Sequence, residues 1–119
     1  MNLSTVNKVL EAGMNASIIR NEAIQSNIAN ADTPYYKKRT VNFEDSLNKE
    51  LNSALIDGKI DFNNIKATIN NTGFNYRLDE NNVDMEAEMV ALYQNSVKYE
   101  LMTQSVISNF ARLDSVLAK

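Results

Sequence analysis

The chain has 119 residues, twelve basic and fifteen acidic, giving a net charge of -3, and it contains no His and no Cys. That length suits one domain or one elongated module, and the acidic balance removes the basic face from which nucleic-acid binders gain counterion-release energy. Without His or Cys, imidazole and thiolate catalysis, disulfides and Cys-bound zinc are excluded, so the expectation is a non-enzyme with no cofactor and no metal.

From Leu3 to about Ala31 a seam runs through Leu3, Val6, Leu10, Met14, Ser17, Ile24 and Ile28, which predicts a first helix. Gly13, Asn15, Asn21, Asn27 and Asn30 lower its intrinsic helicity. Such a helix needs a partner in order to exist. Asn2, Asn7 and Asn15 also interrupt the basic-then-apolar layout of a cleavable signal peptide, and no stretch reaches the ~18 to 20 apolar residues of a membrane span. Asp32-Thr33-Pro34 ends the helix, because the proline has no amide to donate and pushes Thr33 out of the helical region.

Tyr35 and Tyr36 precede the one basic run, Lys37, Lys38 and Arg39, which reads as a solvated turn rather than a phosphate site. Asn42 is the expected cap of a short helix over 43–55, with Asp45 three residues on and Phe43, Leu47, Leu51 and Leu55 on one face. Gly58 stops it. Between Ile60 and Asn82 the pattern alternates: Ile65, Ala67 and Ile69, then Phe74, Tyr76 and Leu78, predict a small hairpin over 65–78 around a loop at 70–73. Disorder competes with that reading, since the segment is rich in Asn and Asp.

The stretch from Val83 to Ala118 has no Gly and no Pro, and Met85, Met89, Leu92, Tyr99, Val106, Phe110, Leu113 and Leu117 fall on one seam with Ser96 and Thr103. The alternation of four and three averages 3.5, which keeps one stripe facing a partner helix. Asn81, Asn82 and Asp84 are positioned to cap it, with Glu86 and Glu88 in the first turn. A calcium loop is the rival reading of these carboxylates, but Val83 and Asp84 break its spacing. At 1.5 Å per residue the helix is a rod of roughly 50 Å. It is too long to be hidden in its own domain, so its seam calls for a partner helix in the same chain or in another copy. Residues 1–41 carry five basic and three acidic side chains, and residues 84–119 carry three and five, so the two ends attract weakly.

The fold class that follows is mainly α, with long N- and C-terminal helices (residues 1–33 and 83–119) paired as a coiled coil. The central region, 34–82, adds a turn, a short helix and a small β-hairpin.

Two motifs add a family. Asn27-Ile28-Ala29-Asn30, leading through Thr33-Pro34 to Tyr36-Lys37, resembles the N-terminal signature of bacterial flagellar rod and hook proteins, in which NIAN leads into TPGYK. Val83-Asp84, Glu86 and Glu88-Met89 resemble the start of that family's C-terminal helix. Tyr35 stands where the family usually has Gly. The resemblance, closest to the short proximal-rod members, implies a non-catalytic structural subunit of the flagellar basal body. Its terminal helices would build a tube around an export channel after type III export without a cleaved signal. It implies as partners copies of the chain itself, the rod protein FlgC, the adaptor FliE, the membrane ring and the export gate. Phe43 and Leu47 fit the family's F-x-x-x-aliphatic export-gate pattern, and they fit the buried face of a short helix equally well. The alternative function is a soluble coiled-coil adaptor or secretion chaperone.

Overall fold

The computed structural model of the chain describes residues 2–71, 78 and 81–118. Helix α1 (Leu3–Ala29) begins where the Asn2 carboxamide oxygen accepts from the Thr5 amide at 2.8 Å, which satisfies one of the orphan donors of the first turn. Strand β1 (Arg39–Asn42), helix α2 (Glu44–Asp57), a 3-10 turn (Phe62–Asn64), strand β2 (Thr68–Asn71) and helix α3 (Met85–Leu117) follow. The long terminal helices lie side by side, and the molecule measures 64 × 31 × 16 Å. Its radius of gyration is 17.9 Å, well above the ~13 Å of a compact chain of this size, so length is the defining feature of the shape.

Between α1 and β1 the chain turns at Thr33–Tyr36. Pro34 sits second, Tyr35 third with φ +63°, and the Tyr36 amide donates to the Thr33 carbonyl at 3.3 Å. Those are the marks of a type II turn. The left-handed conformation at the third position is carried here by a tyrosine.

The N-cap of α2 is Phe43, whose side chain makes no capping bond, and the expected cap, Asn42, lies one residue further out and bonds into the first turn from there. Asn42 donates to the Asp45 carboxylate at 2.8 Å and accepts from the Asp45 amide at 3.4 Å. At the other end Gly58 takes φ +74°, and its amide donates to Ala54 at 2.7 Å. Phe43 is buried with Ala16 and Ile65, and Leu47, Ile60 and Phe62 pack around them. This small core fastens the central region to the middle of α1. The Glu50 carboxylate accepts from the Asp61 amide at 2.8 Å and from Asn64 at 3.2 Å, closing the loop that returns under α2.

The sheet is a correction to the expected local hairpin. β2 pairs antiparallel with β1, Arg39 opposite Asn71 and Asn42 opposite Thr68, so its partner lies some thirty residues upstream. Asn70 and Asn71 are strand rather than loop, and Ile69 is exposed instead of half-buried. The reason is geometric: α1 packs against β1, and among the described residues nothing covers the face of β2. Phe74 and Tyr76, the expected second strand, lie outside the described residues.

Candidate functional site

The two family motifs meet. Asn27, on the last full turn of α1 and wholly buried, uses all four of its carboxamide hydrogen-bonding positions. Its Oδ1 accepts from the Arg39 amide at 2.8 Å and from the Tyr36 hydroxyl at 3.0 Å, while its Nδ2 donates to the Arg39 carbonyl at 2.8 Å and to Glu88 Oε2 at 3.1 Å. Ser26 Oγ lies 3.1 Å from the same Tyr36 oxygen. One side chain thus ties α1, the strand after the turn and α3 together.

Glu88 is 1% exposed on the first turns of α3, and its Oε1 lies 2.9 Å from Lys38 Nζ. A buried carboxylate without a cation would cost several kcal/mol, so Lys38 is committed to this pair. Of the basic run, Lys38 is half-buried, with its ammonium group turned to a buried carboxylate.

Asn81 closes the joint from the other side. Its Nδ2 donates to the carbonyls of Asn30, Ala31 and Thr33 at 2.8, 3.1 and 2.8 Å, where the end of α1 leaves acceptors without intrahelical donors. Its Oδ1 accepts from the Val83 amide, Asn82 accepts from the Lys38 amide, and Asp84 caps α3 through the amides of Glu86 and Ala87. Asn30 donates back to Ser26 and accepts from Thr33. Val83 and Ala31 are buried beside them. Asn27, Asn30, Thr33, Tyr36, Val83, Asp84 and Glu88 are brought together, whereas Ala29, Pro34 and Met89 face out.

Beyond this joint the helices run antiparallel. Asn95 Nδ2 donates to the Ser17 carbonyl at 2.8 Å, Met102 lies against Gly13, and Asn109 Nδ2 donates to Asn7 Oδ1 at 2.8 Å. Glu88, Asn95, Met102 and Asn109 are spaced by sevens, and three of the four are polar and buried. This ladder faces α1.

The apolar stripe expected to face α1 does so only in part. Leu92 and Val106 are half-buried, but Met85, Met89, Tyr99, Phe110, Leu113 and Leu117 are exposed. With 3.5 residues per turn, neighbouring positions around the seam are ~51° apart, and α3 is rotated by about that much from the expected contact. The cause is polar: Glu88, Asn95 and Asn109 find acceptors, donors and a cation on that side, and buried polar groups must be paired. On α1, Ile24 is buried and Leu3, Val6, Leu10, Met14 and Ile28 are half-buried, while Gly13, Ala16, Ser17 and Ala23 are buried with Ile24. The missed signal was heptad spacing among polar residues, which a count of apolar positions skips. Phe43 and Leu47 both belong to the small core.

Two antiparallel terminal helices, locked at one end by two motifs bonded to each other, are the arrangement that the resemblance to flagellar rod and hook proteins implies. The chain is 31% identical to the flagellar basal body rod protein FlgB of Bacillus subtilis, over 91% of this chain and 89% of that protein. It is 32% identical to FlgB of Borreliella burgdorferi over 83% and 85%, and 28% identical to FlgB of Salmonella typhimurium over 76% and 77%. No protein-family model matches the chain. The chain belongs to the FlgB family of flagellar basal body rod proteins, and its role is that of a structural rod subunit.

Proposed function

We propose that the chain builds the proximal rod of a bacterial flagellum by polymerising through its terminal helices into a helical tube. The observation that carries this reading is the exposed apolar stripe of α3 beside a densely bonded polar joint: the joint fixes the subunit's shape, and the stripe is left for neighbours. Copies of the chain, FlgC, FliE, the membrane ring and the export gate are the proposed partners. The proposed location is the basal body outside the cytoplasmic membrane, reached by type III export without a cleaved signal. Among the described residues no helix is long and apolar enough to cross a membrane.

The test is Leu92→Ala, which removes half-buried volume from a position between the ladder and the stripe and should leave cells without rods and non-motile. Motile cells carrying it would count against the reading. Far-UV circular dichroism separates the adaptor alternative: helicity that rises on polymerisation supports a rod subunit, and full helicity with a sharp melt in dilute solution supports an adaptor.

The export-gate role of Phe43 and Leu47 is proposed for the chain before it folds, because in the folded subunit both belong to the core. Phe43→Ala should stall secretion, whereas Ile65→Ala, which opens the same core, should not. Equal stalling by both would reduce the pair to a folding role.

A further inference from the structure

We propose that the open groove between α1 and α3 receives the outer stripe of α3 from a second copy, so that each subunit offers a groove to one neighbour and a stripe to another. The inference rests on the rod-subunit reading and deepens it by naming which faces meet.

One side of the helical hairpin is covered within the chain: Arg20 reaches Glu44 and the Val41 carbonyl, and Phe43 packs near Gly13. Among the described residues nothing covers the other side. Two hollows there, of about 610 and 470 Å³, share Ile18 and Tyr99 and form one continuous groove. Leu3, Met14 and Phe110 line its far half; Asn21, Gln25 and Asn95 line the half nearer the joint.

Asn95 marks what the groove lacks. Its Nδ2 is held by the Ser17 carbonyl, which fixes the orientation of the amide, and its Oδ1 is buried with no hydrogen-bond partner. A buried acceptor left alone destabilises the fold until a donor arrives. The occupant is therefore apolar with a hydrogen-bond donor among its apolar groups.

The chain itself carries such a surface. Val90, Tyr93, Val97, Leu101 and Ile107 are exposed on the face of α3 turned away from the ladder, with Gln104 among them. This stripe spans roughly 26 Å of helix, and the groove from Leu3 to Gln25 spans roughly 33 Å, so the stripe fits inside it. The groove is also the open edge of the existing α1–α3 contact, and an incoming α3 would extend that contact from two helices to three. Groove and stripe are different surfaces, so the contact is head-to-tail and does not close on itself, as a growing tube requires.

The chain has no cysteine, so paired cysteines read the contact directly. Full-length subunits carrying Ile18→Cys are mixed with subunits carrying Val97→Cys under polymerising conditions and oxidised. A cross-linked pair in the mixture, with little from either variant alone, is expected, and a chain carrying both substitutions should give a ladder of multimers. Stronger self-linking by either single variant would overturn the assignment in favour of a two-fold contact. Wild-type protein supplies a second readout: the Tyr93 ring, 72% exposed in the subunit, should be modified by hydroxyl radicals in dilute solution and protected in the polymer. Rods that form with Tyr93 still reactive would sink the face assignment and leave the rod reading standing. A deletion strain that still builds rods would instead sink the rod reading.

Discussion

Asn27 and Glu88 are sixty-one residues apart in the chain and 3.1 Å apart in the fold. Two arms of the joint converge on that meeting: Asn27 positions the strand after the turn, and Glu88 holds Lys38. Glu88→Ala should therefore lower stability by about 3 kcal/mol, since it strands Lys38 and one amide proton of Asn27 together. Glu88→Gln keeps an acceptor for Asn27 and should cost clearly less. Urea midpoints of the two variants, with unchanged slope, check the order; equal losses would mean that the acceptor for Asn27 contributes nothing and the lost ion pair accounts for the whole effect.

Tyr35 holds φ +63° without a bonded role for its exposed ring. The left-handed region costs an ordinary residue about 1 to 2 kcal/mol, part of which a glycine would return as greater freedom of the unfolded chain. Tyr35→Gly should raise stability by about 0.5 to 1 kcal/mol, and Tyr35→Val should lower it. Thermal melts of both variants give opposite signs if the turn is as described.

A methyl group added at Gly13 would stand 2.8 Å from the sulfur of Met102. In an open helix Gly→Ala gains up to about 1 kcal/mol, but here the thioether must swing away first. Gly13→Ala should thus be neutral or destabilising alone and stabilising in a Met102→Ala background. A double-mutant cycle with a coupling of about 1 kcal/mol is the expected result, and simple additivity would show that the two residues do not touch.

Burial alone would raise the pKa of Glu44, but the Arg20 guanidinium, 2.7 Å from its Oε2, and the Phe43 amide outweigh that and hold it below the usual carboxylate value. A depressed folded-state pKa contributes stability above the unfolded value, and that contribution disappears as pH falls through the folded one. Arg20→Gln should therefore lower stability at neutral pH and flatten the acid limb, so that variant and wild type converge as pH falls through the folded pKa of Glu44. Because Glu44 is half in solvent, added salt should shrink the difference.

Much of this was legible beforehand. Apolar periodicity marked both terminal helices, Asn42 and Gly58 marked the ends of α2, and the two motifs marked the residues that form the joint. The contact between the helices was not legible, because Glu88, Asn95 and Asn109 make it and polar residues at sevens look like a solvated face until their acceptors on α1 are known. The sheet was missed for a related reason: alternation at 65–69 marks a strand without naming its partner, and the partner lay at 39–42, beyond a helix and two turns. Tyr35 illustrates the converse, where a turn imposed by its neighbours overrides the preference of the residue in it.

The two ends of the helical pair are held very differently. At Asn27 many bonds converge, while about 30 Å away along α1 a single 2.8 Å bond joins Asn7 to Asn109. A swing of one degree about the crowded end moves Asn7 by ~0.5 Å, so about two degrees carry that bond past hydrogen-bonding reach. The distal asparagines are in effect an angle gauge, and a lattice that asks for even a slightly splayed subunit would unlatch the tips first while the hinge stays shut.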